Sequence, residues 1–152
     1  MAKYSLRLAH LYPKLLSAYG DNGVLKILKK RCEWRDIDLV VDEIEVEDAI
    51  AENLYDMYFI DNGQGKLLND AAQALMHQKE SLKIAQENGA VIFALGGGYQ
   101  LLGKYYQLES GEKLNGIDLL DIYTVESQSR HIGNITAQCN ISEIGKIVGF
   151  EN

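Results

Sequence analysis

Apolar and polar residues alternate over residues 5–12 (SLRLAHLY), the two-residue period of a half-buried strand. A turn follows at Gly20-Asp21-Asn22-Gly23, where Asp21 or Asn22 can cap the next element. That element reads as a helix, with Val24, Leu25, Leu28 and Cys32 on one side and most of the lysines on the other. Residues 37–44 and 57–60 are short β-rich runs. A single long helix is predicted from about 66 to 87, with Leu68, Ala71, Leu75, Leu82 and Ala85 at helical spacing, and Gly89 ends it. Residues 90–95 (AVIFAL) form a continuous apolar run, suited to a strand buried on both faces. Beyond Gly96-Gly97-Gly98, residues 99–106 look helical and residues 117–125 strand-like. Next, Ile135, Ala137, Cys139 and Ile141 alternate with Asn134, Thr136, Gln138 and Asn140. Strands alternating with helices, then a hairpin-like region, predict an open, mostly parallel α/β sheet with helices on both faces. No repeat, low-complexity segment or linker divides the chain, so residues 1–152 read as one domain.

Composition narrows the functional classes. The chain has 152 residues, 47% hydrophobic and 24% charged, which suits a globular domain with a real core. A net charge of −7 argues against a nucleic-acid partner, which requires a basic face. A basic cluster (Lys26, Lys29, Lys30, Arg31, Arg35) and an acidic run (Asp42, Glu43, Glu45, Glu47, Asp48) read as solvated faces. Cys32 and Cys139 lack metal-type spacing and fall in apolar registers, so both are expected as buried small residues. No metal site is indicated. No apolar run approaches the roughly 20 residues of a membrane helix. Lys3, Arg7 and His10 interrupt any signal-peptide core, so a cytoplasmic protein without membrane insertion is expected.

Ligands of open α/β sheets collect beyond the carboxyl ends of the strands. Two loops qualify, Asp61-Asn62-Gly63-Gln64-Gly65 and Gly96-Gly97-Gly98. A dinucleotide fingerprint fails in the second, because Leu101 stands where a glycine is required. A phosphate loop from Gly98 to Lys104 has the right spacing, but Tyr105 replaces the metal-binding hydroxyl and residues 99–102 are too apolar. A nucleophile elbow fits, with small Ala94 and Gly98 flanking Gly96 at the start of a helix. There the following backbone N–H could bind an oxyanion. A plain glycine turn fits these residues equally well.

Several segments together carry a resemblance: Tyr19-Gly20-Asp21, Arg31-Cys32-Glu33-Trp34-Arg35, Gly97-Gly98-Tyr99-Gln100-Leu101-Leu102-Gly103, Arg130 with Ile132-Gly133-Asn134-Ile135, and Val148-Gly149-Phe150-Glu151-Asn152. The chain resembles the glutamine amidotransferase subunits of lipid II isoglutaminyl synthase, close to the glutaminase domains of cobyric acid synthase. That resemblance implies a flavodoxin-like class I glutamine amidotransferase fold without a cofactor. It implies L-glutamine as ligand and ammonia transfer to a Mur-ligase-like, ATP-dependent catalytic subunit in a heterodimer. The acceptor would be the D-glutamate of a peptidoglycan precursor.

The resemblance also implies a cysteine nucleophile where this chain has Gly96, and it assigns the Gly97 N–H to the oxyanion hole. Gly63 and Gln64 match the second oxyanion segment, although Asp61, Asn62 and Gly65 depart from its glycine triplet followed by Gln-Asp. Arg130 matches the arginine that holds the glutamine carboxylate. A catalytic histidine is implied downstream of Gly149-Phe150-Glu151-Asn152, so the domain is expected to be incomplete at its C-terminus. His10 and His77 are expected at the surface, and His131 points away from whatever Arg130 faces. Tyr99 and Gln100 are expected to pack and cap the helix after the elbow. With neither thiolate nor base, no glutaminase activity is expected. A non-catalytic scaffold of the same fold and a glutaminase domain of corrinoid amidation are the alternatives.

Overall fold

The computed structural model describes residues 3–17, 23–129, 131–141 and 143–151. The Tyr19-Gly20-Asp21 motif, the capping candidates Asp21 and Asn22, and Arg130 lie outside the described residues. The chain opens with β1 (Tyr4–Leu11), the short helix α1 (Pro13–Leu16), α2 (Gly23–Glu33) and β2 (Ile37–Ile44). Then come β3 (Met57–Ile60), α3 (Gly65–His77), α4 (Lys79–Glu87), β4 (Val91–Ala94) and α5 (Gly97–Leu101). Five short strands follow: β5 (Tyr105–Gln107), β6 (Lys113–Asn115), β7 (Thr124–Val125), β8 (Gly133–Gln138) and β9 (Lys146–Glu151).

The first four strands form a parallel sheet in the order β2-β1-β3-β4. The chain crosses from β1 outward to β2 on one side, and from β3 outward to β4 on the other, connections that between parallel strands are almost always right-handed. Such crossovers place α2 on one face and the α3–α4 pair on the opposite face, which is the α/β architecture expected from the sequence. The residue pairs confirm two distinct faces. Ala9, Leu11, Tyr58, Ile60, Ile92 and Ala94 lie in register on one, packed with Leu68, Ala71, Leu75, Leu82 and Ala85. On the other, His10, Phe59 and Phe93 stack, with ring centroids 5.1 and 5.4 Å apart.

Several sequence expectations are corrected. The helix predicted over 66–87 is two helices that break at Gln78. The Gln78 side chain is drawn to the loop after β2, accepting from Ile50 N–H and donating to the Asp48 carbonyl, both at 3.3 Å. The apolar stripe survives because Leu75 and Leu82 are seven residues apart, two turns of helix. The AVIFAL strand is not buried on both faces: β4 is an edge of the sheet among the described residues, and Val91 is 53% exposed.

Residues 99–106 are not one helix, since α5 stops at Leu101 and Tyr105-Tyr106 pair in a small sheet ordered β6-β5-β7. Residues 117–125 are strand only at β7. Their amides are used elsewhere: Ile117, Leu119 and Asp118 donate to the carbonyls of Leu101, Leu102 and Gly103 at 2.8–2.9 Å. These are the orphan carbonyls at the end of α5, and capping them removes this segment from any sheet. The last alternating segment forms β8 only as far as Gln138, where the Cys139 N–H turns to the Gly145 carbonyl. Cys32 and Cys139 are half-buried rather than core residues. The basic cluster is exposed, as expected, and Asp42 and Glu45 of the acidic run pair with Arg7 and Lys14.

His77 and His131 are exposed, but His10 is fully buried, contrary to the surface position expected from its polarity. The alternation of β1 places it beside Leu8 on a face that is covered, and neither ring nitrogen has a hydrogen-bond partner among the described residues. Burial lowers its pKa below the ordinary 6.5, against the opposing pull of Asp61, Glu43 and Glu45. The folded chain therefore binds this proton less readily than the unfolded chain. Its contribution to stability is complete above pH 6.5 and is lost as the pH falls below that value. Urea midpoints should fall between about pH 7.5 and pH 5.5, and His10→Phe should flatten that fall. An equal fall in both proteins would overturn the assignment.

Candidate functional site

The site is built where β3 and β4 end side by side. The Leu95 N–H donates to the Ile60 carbonyl at 3.0 Å, so the ladder holds up to the last residue before the turn. The chain then reverses within one residue, and the Gln100 N–H reaches back to the Gly96 carbonyl at 3.1 Å to open α5. Gly96 absorbs the reversal with φ +48° and ψ −118°. This conformation lies outside the regions open to ordinary residues, and a side chain there is strained. It is the abrupt strand-to-helix turn that a nucleophile elbow requires, here without a side chain to present.

Two glycines let the loops touch. A Cβ on Gly98 would sit 2.6 Å from the Asp61 carbonyl oxygen and 2.7 Å from that of Ile60. One on Gly97 would collide with the Gly63 carbonyl oxygen and lie 2.9 Å from Leu68 Cδ1. The elbow is therefore pressed directly against the main chain of the loop after β3. Asn62 closes the junction. Its N–H donates to Asp61 Oδ1 at 2.7 Å, and its own Oδ1 accepts the Gly97 N–H at 2.7 Å. Because Gly97 is the donor, the carboxamide oxygen and not its nitrogen must face this amide.

Above the junction is a cavity of 670 Å³, within the range of small-molecule sites. Gly63, Gln64, Gly96 and Gly97, all singled out from the sequence, line it together with Asn62 and Gln100. The small sheet supplies the opposite wall through Tyr106, Leu114, Glu112 and Glu126. Glu126 is held by the Glu109 N–H at 2.8 Å and by the Tyr106 phenol. Burial and, next, this carboxylate raise the Tyr106 pKa, so the phenol stays protonated and donating. Arg130 lies outside the described residues, and none of His10, His77 and His131 lines the cavity. Tyr99 and Gln100 do not cap α5: its first amide is taken by Asn62, Tyr99 is exposed and Gln100 faces the cavity. Sequence reasoning missed Tyr106, Glu112 and Glu126, because nothing local signals that the small sheet folds over the elbow. Asn62 could have been suspected from its departure from the glycine triplet.

A parallel α/β sheet with an elbow after β4, set against a glycine-bearing loop after β3, is the frame of a glutamine amidotransferase domain. The chain belongs to that class: the CobB/CobQ-like glutamine amidotransferase domain family matches residues 7–152. It is 37% identical over 150 residues to the Streptococcus pneumoniae protein "Lipid II isoglutaminyl synthase (glutamine-hydrolyzing) subunit GatD", covering 98% of this chain and 57% of that protein. To the protein of the same name from Staphylococcus aureus it is 34% identical over 149 residues, covering 98% of this chain and 60% of that protein. The chain thus spans less than two thirds of the length of these relatives.

The loop contact should dominate local stability. Gly98→Ala forces a methyl group against two main-chain carbonyl oxygens, that of Ile60 at the end of β3 and that of Asp61 just beyond it. A loss of about 1–3 kcal/mol is expected, as for overpacking of a core. Gly111→Ala, where an added Cβ meets nothing but φ is +88°, should cost about 1 kcal/mol through backbone strain alone. Urea unfolding of both variants checks the difference, and equal losses would show that the close approach is unimportant.

Proposed function

We propose that this chain is the glutamine-handling part of an enzyme that amidates a peptidoglycan precursor, and that as written it holds glutamine without hydrolysing it. The observation that carries the reading is Gly96, an elbow backbone with no nucleophile on it. Amide hydrolysis through a covalent intermediate needs a thiolate or alkoxide within reach of a base. The lining residues of the cavity offer neither a cysteine, a serine nor a histidine. The two relatives, both subunits of lipid II isoglutaminyl synthase by name, support lipid II as the context over corrinoid amidation. A Mur-ligase-like, ATP-dependent subunit acting in the cytoplasm is the partner that this reading implies. No described helix is long and apolar enough to cross a membrane.

Glutamine would be held through its ends. Arg130 would take the α-carboxylate in a bidentate pair, while the loops of Gly63-Gln64 and Gly96-Gly97 would receive the amide. An open cavity lets water weaken each polar contact, so affinity on the order of millimolar, roughly 4 kcal/mol, is expected. Co-purification with a Mur-ligase-like subunit followed by an ammonia assay tests the assignment. Release should not exceed that of a heat-killed control, and Gly96→Cys alone should not restore it, because no base accompanies the thiol. In an NMR titration with L-glutamine, Arg130→Ala should remove the binding seen in the parent chain. Ammonia release clearly above the control, or unchanged binding by the Arg130 variant, would overturn the reading.

A further inference from the structure

Gly97 N–H is the first amide of α5, and Gly97 lines the cavity beside the elbow. It is not free: Asn62 Oδ1 accepts from it at 2.7 Å. The group that Asn62 brings is a primary carboxamide, the same group that ends a glutamine side chain. Asn62 also fills the space over the elbow, since a Cβ on Gly96 would meet its Cγ at 2.7 Å and its Oδ1 closer still. A side chain at position 96 and the Asn62 side chain in its present rotamer therefore compete for the same space.

We propose that Asn62 is a built-in occupant of the amide subsite, an intramolecular stand-in that a ligand's amide must displace before it can reach Gly97. This rests on the glutamine-binding reading above and adds to it the residue that sets access. The side chain is suited to the task. It is half-buried and lines the cavity, and its Nδ2 makes no hydrogen bond among the described residues. One hydrogen bond holds the carboxamide in place, so rotation outward into the cavity breaks one bond that the incoming amide then replaces. The exchange is nearly balanced in hydrogen bonds. Occupancy is decided by the effective concentration of a tethered group against that of a free one, and the tethered group has the advantage.

L-Glutamine titrations of the full chain, read at the Gly97 amide resonance, test the proposal with two variants of opposite expected sign. Asn62→Ala releases the Gly97 N–H and should bind glutamine roughly 3- to 10-fold more tightly, the range expected for one net hydrogen bond. Asn62→Asp keeps the shape and substitutes a carboxylate, a stronger acceptor, so it should bind more weakly than the parent. A collapsed site would weaken both. Before any ligand is added, the Gly97 amide should exchange faster with solvent in Asn62→Ala. Equal or weaker glutamine binding by Asn62→Ala overturns the proposal while leaving the glutamine reading intact. A second measurement does not depend on glutamine. In a stability cycle, Gly96→Cys should lower the urea midpoint more in the parent than in Asn62→Ala, because only the parent has a side chain in the way. Additive effects would overturn the competition for space. If no variant binds glutamine but the cycle is non-additive, the glutamine reading and the gating role fail together, and the competition between the two side chains stands.

Discussion

At the carboxyl ends of β3 and β4 the main chain of α5 lies against the carbonyl oxygens of Ile60 and Asp61, at distances that leave no room for a Cβ. Everything at the site follows from that approach. It brings a one-residue strand-to-helix reversal up to a second loop, so that an amide of one faces a side chain of the other. The β3–β4 ladder delivers the two loops side by side, about 4.8 Å apart as neighbouring strands are, and the glycines let them close further. Gly97 and Gly98 hold them together by having nothing to push apart.

The same junction defines what the site can and cannot do. An elbow concentrates reactivity by exposing one strained residue at the start of a helix, with an amide behind it ready to stabilise negative charge. Gly96 preserves the strain-bearing geometry and the amide but supplies no atom to attack a carbonyl. Around it the cavity is lined by the main chain of the two loops and by Tyr106, Glu112 and Glu126. The wall of the small sheet is not loosely hung. Residues 117–119 spend their amides on the end carbonyls of α5, tying the small sheet to the elbow by hydrogen bonds rather than by a continuous sheet.

Beneath the site, the two faces of the sheet are built differently. One is a mainly aliphatic layer between the sheet and α3–α4, with Tyr58 among its residues and small alanines that allow close packing. The other carries the His10, Phe59 and Phe93 stack. A neutral imidazole packs there as an aromatic ring, which explains why a titratable group is tolerated at full burial. Its position one residue from the end of β1 places Asp61 and Glu43 near enough to oppose the shift without reversing it.

Much of this was legible in the sequence because it is local. Alternation predicts a strand over 5–12, which forms one residue earlier as Tyr4–Leu11, β-rich composition marks 37–44 and 57–60, and the stripe named for α3 and α4 is buried at every position. Gly63, Gln64, Gly96 and Gly97 were assigned to one site from a resemblance, and the structure shows that they line one cavity. What failed depended on partners distant in the chain. Nothing near Gln78 says that its side chain will be claimed by the loop after β2, and nothing in AVIFAL says on which side the sheet stops. The polarity of His10 pointed to the surface, but burial is decided by what covers a strand and not by the strand itself. Asn62 is the clearest case. As a residue it is an ordinary loop asparagine, and only the folding of β3 beside β4 sets its carboxamide against the Gly97 amide and the empty position at Gly96. Periodicity and turn chemistry act over a few residues, so the sequence determined the elements. Hydrogen bonds and exclusion between segments 35 residues apart needed the tertiary structure, because that alone brings them within reach.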